Sequence, residues 1–295
     1  MKTRKISCSC GYGRQSIKQG HIRADLQMVG TYAVARGPMA AAGGIVTFTA
    51  RSAMIIPISL VVSLAAERAN PAPSTYRRLI VQARQALVVT TTDWNSVNGT
   101  LTRFEKISTG WSRVGEEISV VVGKNGLAWD AVTVAHGIRT EFIKREGDGR
   151  SPAGIFLLKQ EFGFDSSPVT NKMQYLPLTG QIECVDDVKS RSYNEVVNRN
   201  LISLPDWHSS EKMREVEQYK LGIIVGYNPG DVKSAGSCIF LHIWRGPGNG
   251  TAGCTAMEEM RLRQITKSLD EKKHPILIQL PAAVYKRLRN PWRLP

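Results

Sequence analysis

Two residues in the last third of the chain have the types and spacing that acyl transfer requires. His242 ends an apolar, strand-like run, CIFLHIW, and Cys254 follows a loop crowded with glycines, RGPGNGTAG. A thiolate is the nucleophilic form of cysteine, and a neighbouring imidazole can take the thiol proton and later give it to a leaving amine. The pair therefore indicates a cysteine nucleophile with a histidine base.

The residues after Cys254 predict a helix start that would favour the thiolate. Thr255 and Glu258 fit the capping box, in which a threonine N-cap and an acidic residue three positions later satisfy free amides. The positive end of the helix dipole would then lower the pKa of the Cys254 thiol. The amides of Gly253 and Cys254 would be candidate donors to an oxyanion.

The same residues also allow a purely structural interpretation. A lone cysteine is commonly a small buried hydrophobe, and a histidine at a strand end is commonly a satisfied structural residue. The glycine loop, the expected helix start and the odd number of cysteines favour catalysis. Spacing alone leaves both interpretations open.

Short β-type runs separated by turn signals must position this pair. Helical spacing is confined to SSEKMREVEQ and, most clearly, to residues 256–272. Runs rich in Val, Ile, Thr and Phe recur from residue 77 onward: RRLIVQA, QALVVTTT, TLTRFEKIS, EEISVVVGKNG, AGIFLL, KLGIIVGYN, SCIFLHIW and PILIQLP. The pattern predicts one mainly β domain over residues 77–281 with a few short helices, followed by a C-terminal tail over 282–295.

Alternation along the run that ends at His242 predicts its two faces. Successive side chains of a strand point to opposite sides, so one face carries Cys238, Phe240 and His242, and the other Ile239, Leu241 and Ile243. His242 would then stand at the end of a buried strand.

Residues 1–66 read as a basic leader that carries about half of the formal net charge of +14. The apolar stretch over 53–66, AMIIPISLVVSLAA, is too short to span a bilayer and fits a secretory h-region. Ser63, Leu64 and Ala65 offer a small-x-small cleavage pattern. Export to the periplasm or cell envelope is therefore expected, with either a true start further along, such as Met39, or a segment that serves as an anchor. The alternative is a cytosolic chain in which this apolar segment is buried.

Three cysteines follow this leader, and an odd number leaves one thiol free in an oxidising compartment unless two chains are bridged. Cys184 and Cys238 could form a disulfide or remain buried thiols, and sequence cannot place their Cα atoms.

Metal, cofactor and nucleic-acid binding find no support in the sequence. His136, His208 and His274 lack metal-ligand spacing with the cysteines, so neither a metal nor another cofactor is expected. The basic turn KREGDGR is interpreted as solvated surface or as a contact to an anionic substrate, and no nucleic-acid motif accompanies it.

The segment SCIFLHIWRGPGNGTAGCTAM resembles the catalytic signature of the YkuD-type L,D-transpeptidases, in which a strand-borne histidine precedes a Ser/Thr-His-Gly-Cys turn. SPAGIF resembles the family's Thr-Pro-x-Gly-x-Phe segment, and LGIIVGYN resembles the strand before the active-site strand. The resemblance covers about residues 87–280 in the expected order. It implies a β-sandwich catalytic domain, an exported enzyme and peptidoglycan stem peptides as the partner.

Carried over by residue, the resemblance implies Cys254 as the nucleophile, His242 as the base and acylation of Cys254 by carbapenem-type inhibitors. The second ring nitrogen of His242 is expected to meet a backbone carbonyl. Arg245 would pair with a stem-peptide carboxylate, or would be a solvated loop arginine. The backbone contacts of the site are expected from Gly253, Cys254 and Ile243, and the substrate contacts from Arg245, Trp244 and Thr251.

Two departures from the family pattern keep several functions open. Ala252 stands where the family usually has a histidine, and Ala256 where it has Asn or Arg. The leading hypothesis is an L,D-transpeptidase that works through a thioacyl-enzyme. The alternatives are an L,D-carboxypeptidase or amidase with the same pair, and a catalytically impaired cell-wall-binding module.

Overall fold

The computed structural model describes residues 72–131, 142–168 and 170–295. All of them fall within one compact unit, Leu64–Pro295. The leader over 1–66, its h-region and His136 lie outside the described residues. None of the helices in the described ranges has the length and hydrophobicity needed to cross a bilayer.

The described part of the chain contains thirteen strands and three α-helices. The helices are α1 (Ser74–Gln82), α2 (Glu259–Ser268) and α3 (Ala282–Trp292), and four short 3-10 helices cover Arg199–Leu201, Met213–Glu215, Glu217–Lys220 and Glu271–Lys273. The strands are β1 (Gln85–Thr91), β2 (Asn98–Ile107), β3 (Gly110–Val121), β4 (Leu127–Trp129), β5 (Ser151–Gly163), β6 (Tyr175–Pro177), β7 (Ile182–Cys184), β8 (Val196–Asn198), β9 (Glu211–Lys212), β10 (Leu221–Val225), β11 (Phe240–Ile243), β12 (Thr255–Met257) and β13 (Ile276–Pro281). The mainly β architecture with a few short helices is confirmed.

Ten strands form one mixed sheet with the order β10-β11-β12-β3-β2-β1-β13-β5-β4, and β6 pairs with β5. Because β10 also pairs with β5, the path from β10 round to β5 closes into a ring. Each strand on this closed path has a partner on both sides, whereas β4 and β6 lie outside the ring. The strands β7, β8 and β9 form a separate three-stranded sheet in the order β8-β7-β9.

The two sides of the chain around β11 contribute to two different hydrophobic clusters. Ile239 and Leu241 belong to the main core, whereas Cys238 and Phe240 belong to a second cluster that also contains Cys254. This division follows the alternation expected from the sequence. It places the functional face of β11 toward the second cluster.

Two predicted elements are wrong. RRLIVQA (77–83) forms most of α1 rather than a strand, because Tyr76 and Ile80 lie one helical turn apart and are both buried. SSEKMREVEQ (209–218) forms β9 and two 3-10 helices rather than one helix. There, Glu211 pairs with Cys184 of β7, and this strand contact competes with helix formation.

The predicted C-terminal tail over 282–295 contains α3, which packs against the core. Leu288 and Trp292 are buried, and the Trp292 ring lies 5.7 Å from the ring of Tyr76 in α1. Packed helices therefore extend the folded part of the chain on both sides of residues 77–281.

Glu161 on β5 is a buried carboxyl group without a partner. Its side chain is fully buried, and neither carboxyl oxygen has a hydrogen-bond partner in the described part of the structure. Burial raises the pKa of Glu161 to about 7, because the charged form loses its hydration. Because the pKa is raised in the folded state, the stability of the fold decreases as pH rises from 4.5, the ordinary pKa of a glutamate, through about 7.

We expect Glu161→Gln to raise the free energy of unfolding by about 3 kcal/mol at pH 8 and by much less at pH 4, because the ionisation cost disappears. Urea unfolding at both pH values measures the difference. Glu105→Gln is the matched control, since Glu105 accepts hydrogen bonds from Gln85 and Lys273 and should lose stability at pH 8. An equal effect of Glu161→Gln at both pH values would contradict the ionisation argument.

Candidate functional site

His242 is held near the end of β11 by a backbone contact and an aromatic contact. Its Nδ1 lies 2.8 Å from the carbonyl oxygen of Ile243, and its ring packs edge-on against Tyr219 with the centroids 5.2 Å apart. The carbonyl can only accept, so Nδ1 carries the proton and Nε2 is an acceptor. This carbonyl is the backbone partner that was predicted for the second ring nitrogen.

The pKa of His242 is lowered to about 4, mainly because the ring is buried. The hydrogen bond to the Ile243 carbonyl acts in the opposite direction, and the charge of Arg245 makes a smaller lowering contribution. The imidazole is therefore neutral at physiological pH. A neutral ring with a free Nε2 can take a proton from a reacting group.

Cys254 is a buried free thiol in the second cluster. Its Sγ accepts a hydrogen bond from the Phe240 amide at 3.3 Å and donates to the Cys238 carbonyl at 3.4 Å. The Tyr219 hydroxyl acts to lower the pKa of this thiol, but its effect is smaller than that of burial. Burial raises the pKa of Cys254 to about 12, so the resting site holds a thiol and not the predicted thiolate.

The predicted helix start immediately after Cys254 is wrong. Thr255–Met257 forms β12, which pairs with β11 and β3, and α2 begins at Glu259. The Thr255 hydroxyl donates to Gln279 Oε1 at 2.6 Å, and Glu258 makes no side-chain cap. Strand partners on both sides satisfy the backbone of β12, so no helix terminus adjoins Cys254 to favour its charged form.

Of the three predicted backbone contacts, Cys254 remains the best oxyanion donor. The Gly253 N–H donates to Thr251 Oγ1 at 3.1 Å, so it is already used within the turn. Ile243 contributes its carbonyl to His242 rather than an amide to an oxyanion. The Cys254 N–H donates to no other residue that the structure describes. The Cys254 amide is therefore a candidate oxyanion donor that the turn itself does not occupy.

Two hydroxyl groups hold the carbonyl of Cys254. Ser151 Oγ donates to it at 2.7 Å and Thr251 Oγ1 at 2.6 Å. Ser151 Oγ also accepts from the Gly123 N–H at 2.8 Å, and Ser151 is fully buried. These contacts position the backbone of Cys254. Thr251 thus supports the turn as well as facing the cavity.

Two adjoining cavities bring the predicted residues together. Cys254 and His242 both line a cavity of about 260 Å³. A neighbouring cavity of about 320 Å³ shares His242 and Thr251 with the first and is also lined by Trp244 and Arg245. The structure therefore places Cys254, His242 and all three predicted substrate contacts around one continuous region.

The two positions that depart from the family pattern also lie at this site. Ala252 lines both cavities, and Ala256 lines the larger one. Ala256 is in register with His242 across the parallel β11–β12 pair. Methyl side chains at these positions leave space where larger polar groups would stand.

Tyr219 and Glu211 were not predicted as site residues. The Tyr219 hydroxyl donates to Glu211 Oε2 at 2.8 Å, and the Tyr219 ring packs against His242. Tyr219 and Glu211 both line the two cavities. Glu211 lies in the segment for which the sequence predicted a helix, and Tyr219 directly follows that segment. No local pattern marks them, because their role depends on how β9 and the following 3-10 helices pack against β11.

The basic turn KREGDGR is tied into the fold. Lys144 is buried, and its Nζ lies 2.7 Å from Asp148 Oδ1. Arg150 donates to the Trp94 carbonyl at 2.9 Å and packs over the Phe142 ring at 4.5 Å. These two cations therefore have structural partners and are neither simply solvated nor free to bind an anionic substrate.

A disulfide joins Cys184 in β7 to Cys238, just before β11, with a Cα–Cα distance of 5.9 Å. It connects the three-stranded sheet to the strand that carries His242. Of the two states that the sequence left open, the structure has the bonded one. Within the described ranges, no three His, Cys, Asp or Glu side chains are grouped to hold a metal ion.

Comparison with known proteins gives little that bears on function. No protein-family model matches the chain, and no curated protein matches it. One similar solved structure is that of Bdellovibrio bacteriovorus Bd1075, with a TM-score of 0.35 and 12% sequence identity. The match covers 70% of this chain and 54% of that chain, so it spans about half of the other protein's length.

The low pKa of His242 leads to a specific pH dependence. Because the pKa is lowered in the folded state, stability is lost as pH falls from 6.5, the ordinary pKa of a histidine, through about 4. Over this range the unfolded state binds the extra proton. We expect His242→Gln to remove this part of the acid destabilisation. Urea unfolding between pH 7 and pH 4 tests it, with the exposed His208 replaced by Gln as the control. A ring titration midpoint near 6.5 by NMR would contradict the assignment.

Proposed function

We propose that this protein is a cysteine acyltransferase of the L,D-transpeptidase type, which acts on peptidoglycan stem peptides in the periplasm or cell envelope. The observation that supports this function is the presence of Cys254 and His242 in the wall of one cavity. His242 Nε2 has no hydrogen-bond partner among the described residues, so it is available to a reacting group.

The protonation states favour attack from a neutral pair. Cys254 starts as a thiol and His242 as a neutral imidazole, because burial disfavours the charged form of each. As the sulfur bonds to the amide carbonyl of the substrate, the thiol proton passes to Nε2. The Cys254 N–H then donates to the oxyanion that forms.

Collapse of this intermediate completes the first half of the reaction. The C–N bond breaks, the imidazolium gives its proton to the departing amine, and the terminal D-amino acid leaves behind a thioester on Cys254. An amine from a second stem peptide then attacks the thioester, and His242 takes its proton. The thiol is regenerated as the new amide forms.

Arg245 is well placed to recognise the substrate. It is exposed, lines the larger cavity and forms no ion pair with another described residue. A free guanidinium can bind a carboxylate through two parallel hydrogen bonds. The carboxylate of a stem peptide is the proposed partner.

Two alternatives use the same site differently. Attack by water on the thioester would make the enzyme a carboxypeptidase or amidase with the same pair. A cell-wall-binding module is favoured by one specific observation: the Cys254 thiol donates to the Cys238 carbonyl and its pKa is raised, so the nucleophile is not activated at rest.

Intact-mass analysis of the purified full chain with a defined tetrapeptide muropeptide tests the proposal. We expect a mass increase equal to the substrate minus its terminal D-amino acid, followed by transfer to an added amine or by hydrolysis. His242→Gln should lose this adduct, and His208→Gln should keep it. Saturable muropeptide binding to folded protein without adduct, exchange or hydrolysis would instead support the binding module.

A further inference from the structure

We propose that a groove between β2, β3 and α2 binds a phosphate group. The groove has a volume of about 410 Å³ and is lined by Arg103 and Gly115 from the hairpin and by Arg261 and Lys267 from α2. None of the residues that line it also lines the cavities around Cys254 and His242. The site is independent of the proposed acyl transfer.

The charge of the groove favours an anion. Three cationic side chains, Arg103, Arg261 and Lys267, face one carboxylate, Glu116. Glu116 lies 3.7 Å from Arg261, but its side chain is 82% exposed, so this surface pair is weak. Lys267 has no ion pair with any residue in the described ranges. An anion therefore meets an uncompensated positive charge.

Arg103 has hydrogen-bonding capacity that the fold does not use. Its Nε is buried and has no hydrogen-bond partner in the part of the chain that the structure describes. The nearby Glu105 already accepts from Gln85 and Lys273, and Arg103 is only the smallest contributor to its lowered pKa. An oxyanion would supply acceptors that match the planar guanidinium.

Gly115 makes room for this guanidinium. Its φ is +69°, and a Cβ at this position would lie 2.3 Å from Nη2 of Arg103. The pairing register of β2 and β3 shifts between Leu101 and Arg103 in the same part of the hairpin. The irregularity and the glycine together let the arginine lie against the backbone.

The arrangement of the cations favours phosphate over carboxylate. A carboxylate offers two oxygens, which suffice for a single guanidinium fork. A phosphate group carries up to two negative charges and at least three acceptor oxygens. It can therefore bridge cations from the hairpin and from α2 at the same time. The group could belong to a soluble phosphate compound or to a lipid headgroup.

Isothermal titration of the full chain with inorganic phosphate, at constant ionic strength set with chloride, tests the site. We expect saturable binding that Arg103→Gln and Lys267→Gln each weaken about tenfold, because each removes a charge-assisted hydrogen bond. Glu116→Gln should strengthen binding. Arg113→Gln is the matched control, since Arg113 is a half-exposed β3 residue paired with Glu117, outside the groove.

Absence of phosphate binding by the folded wild-type chain would overturn the proposal. An equal loss of phosphate affinity in Arg113→Gln and Arg103→Gln would also overturn it, because phosphate would then be attracted by the general positive charge of the protein. Thermal unfolding verifies that each variant is folded. Arg103→Lys, which keeps the charge but lacks the forked guanidinium, provides a milder test.

Vesicles with and without phosphatidylglycerol identify whether the bound phosphate group belongs to a lipid headgroup or to a soluble compound. If vesicles with phosphatidylglycerol capture Arg103→Gln less well than wild type, the group is a lipid headgroup. If they capture both proteins equally while Arg103→Gln binds inorganic phosphate more weakly, the group belongs to a soluble phosphate compound.

Discussion

Incubation of the folded protein with a carbapenem is expected to add one covalent label, on Cys254, and Cys254→Ser should lower its rate of formation by at least about a thousandfold. The strained carbonyl of the drug is expected to enter the cavity that Cys254 and His242 line. An alcohol at position 254 is a far weaker nucleophile than a cysteine sulfur. Peptide mapping by mass spectrometry after a timed incubation measures the label.

Base assistance can be measured separately in the same assay. His242→Gln should slow labelling about a hundredfold or more, because the Cys254 thiol then loses its proton acceptor. Arg245→Ala should leave labelling by the drug unchanged while it weakens the reaction with muropeptides. A folded protein that stays unlabelled would count against the His242–Cys254 pair and in favour of the binding module.

The raised pKa of Cys254 predicts that the native thiol reacts differently with iodoacetamide and with a carbapenem. Iodoacetamide reacts with thiolates, so it should modify native Cys254 slowly at pH 7.5 and modify the unfolded chain quickly. A carbapenem should behave in the opposite way, because its reaction needs the folded cavity. Rapid reaction of the native protein with both reagents would indicate an activated thiolate and contradict the neutral-pair mechanism.

Replacing both members of the disulfide, Cys184→Ser with Cys238→Ser, is expected to lower the free energy of unfolding by about 4 kcal/mol. The bond closes a loop of 54 residues, and its loss frees that loop in the unfolded chain. Urea unfolding of the oxidised wild type and the double variant measures the difference. Cys254→Ser, which keeps the disulfide, is the control for a cysteine-to-serine change in the same cluster.

Loss of the disulfide should also affect the nucleophile. The Cys238 carbonyl accepts the hydrogen bond of the Cys254 thiol, so movement of Cys238 changes the position of that sulfur. Carbapenem labelling of the double variant should therefore slow even below its unfolding temperature. A stability change under about 1 kcal/mol would mean that the loop is already held by β7 and its neighbours.

The strands that carry the site could be predicted because their patterns are local. Alternation in CIFLHIW assigns Cys238 and Phe240 to one face and Ile239 and Leu241 to the other, and the two hydrophobic clusters follow this division. The pleat of a strand gives side chains a period of two whatever lies next to the strand. The order of His242, glycine loop and Cys254 was likewise enough to find the two residues that share a cavity.

Elements whose conformation depends on distant partners could not be predicted in this way. Thr255 and Glu258 have the types of a capping box, but pairing of β12 with β11 and β3 makes Thr255 part of a strand. The expected thiolate was wrong for the same reason, since no helix terminus stands beside the sulfur. Burial instead raises its pKa.

The sequence by itself determined the residue types at the site, the period of each strand and the odd cysteine, since these depend on the chain alone. Only the tertiary structure decided that Ser151, 103 residues away, holds the Cys254 carbonyl and that Tyr219 supports His242. It also decided which two cysteines pair and that the His242 and Cys254 side chains are neutral. The physical reason is that hydrogen-bond partners and desolvation are set by neighbours in space, which strand closure brings together from distant parts of the chain.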